Sequence, residues 1–167
     1  MTHSVTYDRV VKIDRPINKR RLWLVFISAI SLVGGFFIYA FIRDTPTYFE
    51  TYIGLFFDTS LFANHSIHIQ NKTLRVLVNS FAADALWMLS FSTGLYLVFS
   101  SIKNVRSRRY ICFLVAVGAG SFLEYMQARE VIAGTFDSWD IVTYILSAYA
   151  GVGIASIIDQ SNEVRDK

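Results

Sequence analysis

Cysteine is almost missing from this 167-residue chain: Cys112 stands alone inside an apolar run, so no intramolecular disulfide can form. Proline is scarce, with two residues, and there are only nine glycines, which excludes collagen-like and Pro/Gly-rich low-complexity readings. Charge is thin as well. Asp, Glu, Lys and Arg make up 17% of residues, against about 25% in ordinary soluble domains, which also argues against disorder and coiled coil. No glycine loop of the phosphate-cradling kind is present. His65 and His68 stand three apart with no third ligand beside them in sequence, so neither a metal nor a cofactor is expected. What the chain has in abundance is apolar: 53% hydrophobic and 16% aromatic residues, with a mean hydropathy of +0.40. The net charge of +3 comes from cations clumped between apolar runs. That arrangement belongs to an integral membrane protein and gives no case for nucleic acid.

The chain reads as an all-α, four-transmembrane-helix bundle. Leu22 to Ile42 carries no charge over 21 residues, about 31 Å at a ~1.5 Å rise and enough to cross a hydrocarbon core. Its length and the absence of a small-residue cleavage pattern at Arg43-Asp44-Thr45-Pro46 make it a retained anchor, not a cleaved signal peptide. Further spans are expected at about 81–102, 110–127 and 139–158. This organisation gives a basic segment over 1–21, a membrane domain over 22–158 and a tail over 159–167. Twelve Lys and Arg fall in the amino-terminal segment, the Lys103–Arg109 loop and the tail. Four (Arg43, Lys72, Arg75 and Arg129) fall on the other side. The bias places both termini in the cytoplasm.

The first outer loop holds an aromatic stretch, Tyr48 to Ala63, in which Glu50, Gly54 and Asp58 recur every fourth residue. That pattern is an amphipathic helix lying on the outer interface. Asn64 and Asn71 each begin an Asn-x-Ser/Thr sequon in the same loop.

Topology then collects the intramembrane acids. Asp84 near the start of the second span, Glu124 and Gln127 at the end of the third, and Asp137 and Asp140 at the start of the fourth all fall at one depth on the outer side. Helical spacing places Gly120, Glu124 and Gln127 on one face. It does the same for Asp140, Tyr144, Ser147 and Gly151, and for Ser80, Asp84, Trp87 and Phe91. Charged groups in lipid are costly, so the three faces should meet in a pocket open to the outside. Asp84, Glu124 and Asp140 are the candidates for acid–base or relay chemistry, because closely spaced carboxylates in a low dielectric readily exchange protons or hold a cation. Gln127, Asp137, Trp87, Tyr144 and Arg129 are the candidate ligand contacts, Arg129 being the cation nearest the outer ends of spans three and four. Asp137 and Asp140 also suit helix capping, and Glu124 with Gln127 suits interhelical bonding.

Asn79-Ser80-Phe81-Ala82-Ala83-Asp84-Ala85-Leu86-Trp87, together with Glu124-x-x-Gln127, Gly134-Thr135-Phe136-Asp137, Asp140 and Gly151, resembles the VanZ-like family of small bacterial membrane proteins. The likeness runs over about residues 77–155. Where that family carries Arg and Asn, this chain has Thr135 and Tyr144. The resemblance implies a cell-envelope role linked to glycopeptide tolerance. The expected function is binding of, or action on, a lipid-linked or peptide envelope ligand at the acidic pocket, with membrane lipids as surroundings. The alternatives are a non-catalytic membrane partner, assembly or immunity protein, alone or as a homo-oligomer, and a small proton- or cation-coupled transporter.

Overall fold

The computed structural model describes residues 19–42, 69–132 and 136–160. The expected amphipathic helix over 48–63 lies outside them, as do Asn64, His65, His68 and Thr135. Among the described residues every regular element is helical: α1 (Lys19–Phe41), α2 (Lys72–Leu77), a π-helical turn (Val78–Ala82), α3 (Ala83–Val98), a 3-10 turn (Phe99–Ser101), α4 (Val105–Ala128) and α5 (Ser138–Gln160).

Three helices, α1, α4 and α5, are long and apolar enough to cross a membrane. The third element differs from the continuous span expected at 81–102. As α-helix it has 16 residues, about 24 Å at ~1.5 Å per residue and short of a bilayer core. Its path is completed by other helical forms, the π turn before it and the 3-10 turn after it, with right-handed backbone angles at the junctions around Leu77, Ala82 and Ala83. Asn71, one of the two sequon residues, caps α2 by accepting from the amides of Thr73 and Leu74.

Small and hydroxyl residues set the packing. α1 runs antiparallel to α3: the Ser28 hydroxyl donates to the Ser90 carbonyl at 3.0 Å, and the Ser90 hydroxyl returns a bond to the Ser28 carbonyl at 2.8 Å. Along the same seam Gly35 lies against the Trp87 indole so closely that no Cβ fits between them. Gly151 of α5 is equally tight against Ser92 of α3. Fully buried Ala116, Ala148 and Ala155 let α4 and α5 approach each other and α3. One buried cluster joins Leu24, Tyr96, Cys112, Val152 and Ala155, and a second joins Met88, Ala116 and Ala148. Large apolar side chains lie mostly outside, including Trp23, Phe26, Leu114, Phe122, Leu146 and Tyr149. A soluble domain would bury that surface; hydrocarbon accepts it without cost.

Candidate functional site

The acids singled out by sequence lie on or beside α3, α4 and α5, and α1 adds a tyrosine next to one of them. Glu124, in the penultimate turn of α4, is 1% exposed. Its Oε1 accepts the Tyr144 hydroxyl of α5 at 3.0 Å, and its Oε2 accepts the Asp137 backbone amide at 3.2 Å. Both donors are neutral. On the opposite wall, the Tyr39 hydroxyl of α1 donates to Asp84 Oδ1 of α3 at 3.3 Å. Tyr39 also meets Trp87 edge to face, with ring centroids 6.1 Å apart. Glu124 is the acid hydrogen-bonded to the Tyr144 hydroxyl, and the charges of Asp84 and Asp140 act on that group through space.

Local sequence explains why Tyr144 reaches Glu124. Gly120 lies one turn before Glu124, and a Cβ there would meet Tyr144 Cδ2 at 2.7 Å and Met88 Cε at 2.8 Å. The missing side chain is the space that the tyrosine ring occupies. The π turn ends immediately before Ala83 and so widens the helix just ahead of Asp84; such turns recur at functional sites.

The remaining expected residues divide. Asp140 is half-buried in the first turn of α5, and Gln127 is half-buried near the end of α4. Asp137 is exposed and caps α5: its Oδ1 accepts the Trp139 amide at 2.9 Å, while its own amide serves Glu124. Arg129 is exposed at the C-cap of α4, and among the described residues no ion pair joins it to Glu124. The face Asp84–Trp87–Phe91 of α3 does not turn wholly inward as the spacing suggested. Trp87 and Phe91 are exposed, and the buried residues of α3 are Ala83, Met88, Ser90, Ser92, Thr93 and Tyr96. Thr93 explains this choice, because its hydroxyl bonds back to the Leu89 and Ser90 carbonyls and can be buried without a distant partner.

Two residues were not singled out by sequence. Tyr39 sits three residues before the end of its expected span, at the depth of Asp84, and antiparallel counting from either helix would have found it. Arg108 was counted only as an orientation signal. It is instead buried at the far end of the bundle, paired with Asp159 of α5 and held with its guanidinium 4.3 Å from the centre of the Tyr96 ring. Among the described residues no group of three metal-ligating side chains occurs.

Comparison with known protein families, with curated proteins and with solved structures finds no match to this chain.

Proposed function

We propose that the Glu124–Tyr144 end of the bundle is a proton-exchanging or ligand-holding site of a four-span, VanZ-like protein of the bacterial cytoplasmic membrane. In this reading both termini are cytoplasmic and the acidic end faces outward. The site binds or acts on a lipid-linked or peptide group of the cell envelope, with an effect on glycopeptide tolerance.

One observation carries the reading. A carboxylate only 1% exposed and bonded to a phenol and an amide has no cation among its described partners. Ionisable groups at membrane depth are expensive, and their default interpretation is function. In such a setting Glu124 accepts a proton or a polar hydrogen from a ligand, with Tyr144 fixing its orientation. Asp84, steadied by Tyr39, and Asp140 supply further acceptors at the same end of the bundle. Gln127 and Trp87 border the site as ligand contacts. Tyr144 stands where the resembling family carries Asn, so this chain would have replaced an amide by a phenol without losing a donor for the glutamate. The helical path through the π turn, α3 and the 3-10 turn supplies the fourth span.

The test is complementation of a deletion strain scored for susceptibility to teicoplanin and other envelope-targeting agents, with membrane levels measured for each variant. Wild type should restore tolerance, whereas Glu124→Gln and Asp140→Asn should accumulate normally and fail to restore it. Full rescue by both variants would overturn the site and favour a partner protein acting through its lipid-exposed helix faces.

A further inference from the structure

The end of the bundle opposite Glu124 has a charge pattern that the proposed site does not use. The register of α1 on α3 places Gly35 at Trp87, Ser28 at Ser90 and Leu24 in one cluster with Tyr96. Extrapolated, it sets Lys19 and Arg21 level with the Phe99–Asn104 turn. Lys103, Arg106 and Arg109 project from that turn and the start of α4. All five cations are exposed. The one acid among the described residues of this end is Asp159, and it is already bound to the buried Arg108. Arg108 therefore neutralises the local anion from inside the protein, and among the described residues no other acid faces the five surface cations.

What lies beside those cations identifies the partner. Leu22 and Trp23 are each 60% exposed next to Arg21, and Tyr110 is 64% exposed next to Arg109. A free phosphate or a nucleic acid would have no use for the apolar surface adjoining Arg21 and Arg109. An amphiphile with an anionic head and hydrocarbon tails uses both. We propose that this basic end is a docking surface for anionic phospholipids. Their phosphates engage Lys103, Arg106 and Arg109, with Lys19 and Arg21 closing the other side, and their chains lie against Trp23 and Tyr110.

The full chain, purified in a neutral detergent, would be titrated with phosphatidylglycerol and separately with phosphatidylcholine, following the thermal unfolding midpoint. Phosphatidylglycerol should raise the midpoint at lipid concentrations where phosphatidylcholine does not. Each surface cation near an anionic lipid contributes about a fivefold gain in affinity. The triple variant Lys103→Gln/Arg106→Gln/Arg109→Gln should therefore raise the half-saturating phosphatidylglycerol concentration by roughly a hundredfold. The charge-preserving variant Lys103→Arg/Arg106→Lys/Arg109→Lys should titrate like wild type. Should the triple variant fail to accumulate, the three single substitutions give the same reading at about fivefold each. Equal stabilisation by the two lipids, or a neutralised variant that titrates like wild type, would overturn the proposal. So would inorganic phosphate at matched ionic strength reproducing the shift, since it would mark a site for soluble anions.

Discussion

The Tyr144 hydroxyl stands 3.0 Å from Glu124 Oε1 and ties the second turn of α5 to the end of α4. Phenylalanine at 144 keeps the ring beside Gly120 and removes only the donor. A hydrogen bond to a charged group contributes roughly 1.5–3 kcal/mol, so Tyr144→Phe should lower unfolding stability in detergent by about 2 kcal/mol. Glu124→Gln retains an acceptor for the tyrosine and should lose less. With Gln at 124, adding Tyr144→Phe should cost clearly less than it does in wild type, a coupling that a double-mutant cycle reads directly. Additive losses would mean that the two side chains do not interact.

Gly120 and Gly118 are two residues apart on the same helix and predict opposite outcomes for the same substitution. At Gly120 a Cβ meets Tyr144 and Met88 under 3 Å, and at Gly118 it meets nothing within 4 Å. Gly120→Ala should displace the Tyr144 ring and cost about 1–3 kcal/mol, as overpacking does. Gly118→Ala should be neutral or stabilise by up to about 1 kcal/mol through helix propensity. Thermal unfolding of the two variants side by side decides it.

These residues also show what sequence made legible. The expected depth of Glu124 and Asp140, their helix faces and the small residues Gly120 and Gly151 all follow from the 3.6-residue period; in the structure Gly120 makes room for the Tyr144 ring beside Glu124, while Gly151 packs against Ser92 of α3. Periodicity did less well on α3. Beyond Asp84 its residues are apolar or hydroxyl-bearing on every side, so the pattern contains little contrast from which to choose the buried face. Serine and threonine that satisfy themselves within the helix can face inward, and Trp87 is drawn to the gap at Gly35 on α1. The change of helical form along the expected 81–102 span, from π through α to 3-10, left no mark in composition. Arg108 was hidden by its neighbours: among four cations in seven residues, nothing local says which one is buried, and its partner Asp159 is 51 residues away.

Arg108 and Asp159 give a prediction at the other end of the α4–α5 pair. The guanidinium side chain is 7% exposed, its carboxylate partner is 41% exposed, and Arg108 Nε has no hydrogen-bond partner among the described residues. Removing one member of a fully buried pair costs roughly 3–5 kcal/mol. Because water reaches Asp159 and weakens the pair, Asp159→Asn should cost about 2 kcal/mol. Arg108→Lys should lose nearly as much, since an ammonium cannot both reach Asp159 and lie flat on Tyr96. Tyr96→Phe keeps the aromatic face and should change stability by less than about 1 kcal/mol, whereas Tyr96→Leu removes the contact and should cost about 2 kcal/mol. A Tyr96→Leu variant as stable as Tyr96→Phe would deny the ring any role in holding the cation.

Glu130 takes the left-handed conformation, with φ 56°, directly after the C-cap of α4. The bonds around it have the Schellman pattern: the Val131 amide donates to the Met126 carbonyl at 3.0 Å, and the Glu130 amide donates to the Gln127 carbonyl at 2.9 Å. Glycine normally fills this position, because a side chain there costs roughly 1–2 kcal/mol. Part of that cost returns on substitution, since glycine also loses more entropy on folding. Glu130→Gly should accordingly raise stability by up to about 1 kcal/mol, Glu130→Asn should be close to neutral, and Glu130→Val should lower it by at least about 1 kcal/mol. The side chain itself is exposed and stands outside the Glu124 contacts, so all three variants should complement a deletion strain in proportion to the protein that accumulates. A well-expressed Glu130→Gly that fails to complement would assign the glutamate side chain a part in the site and show that its strained backbone is maintained for function.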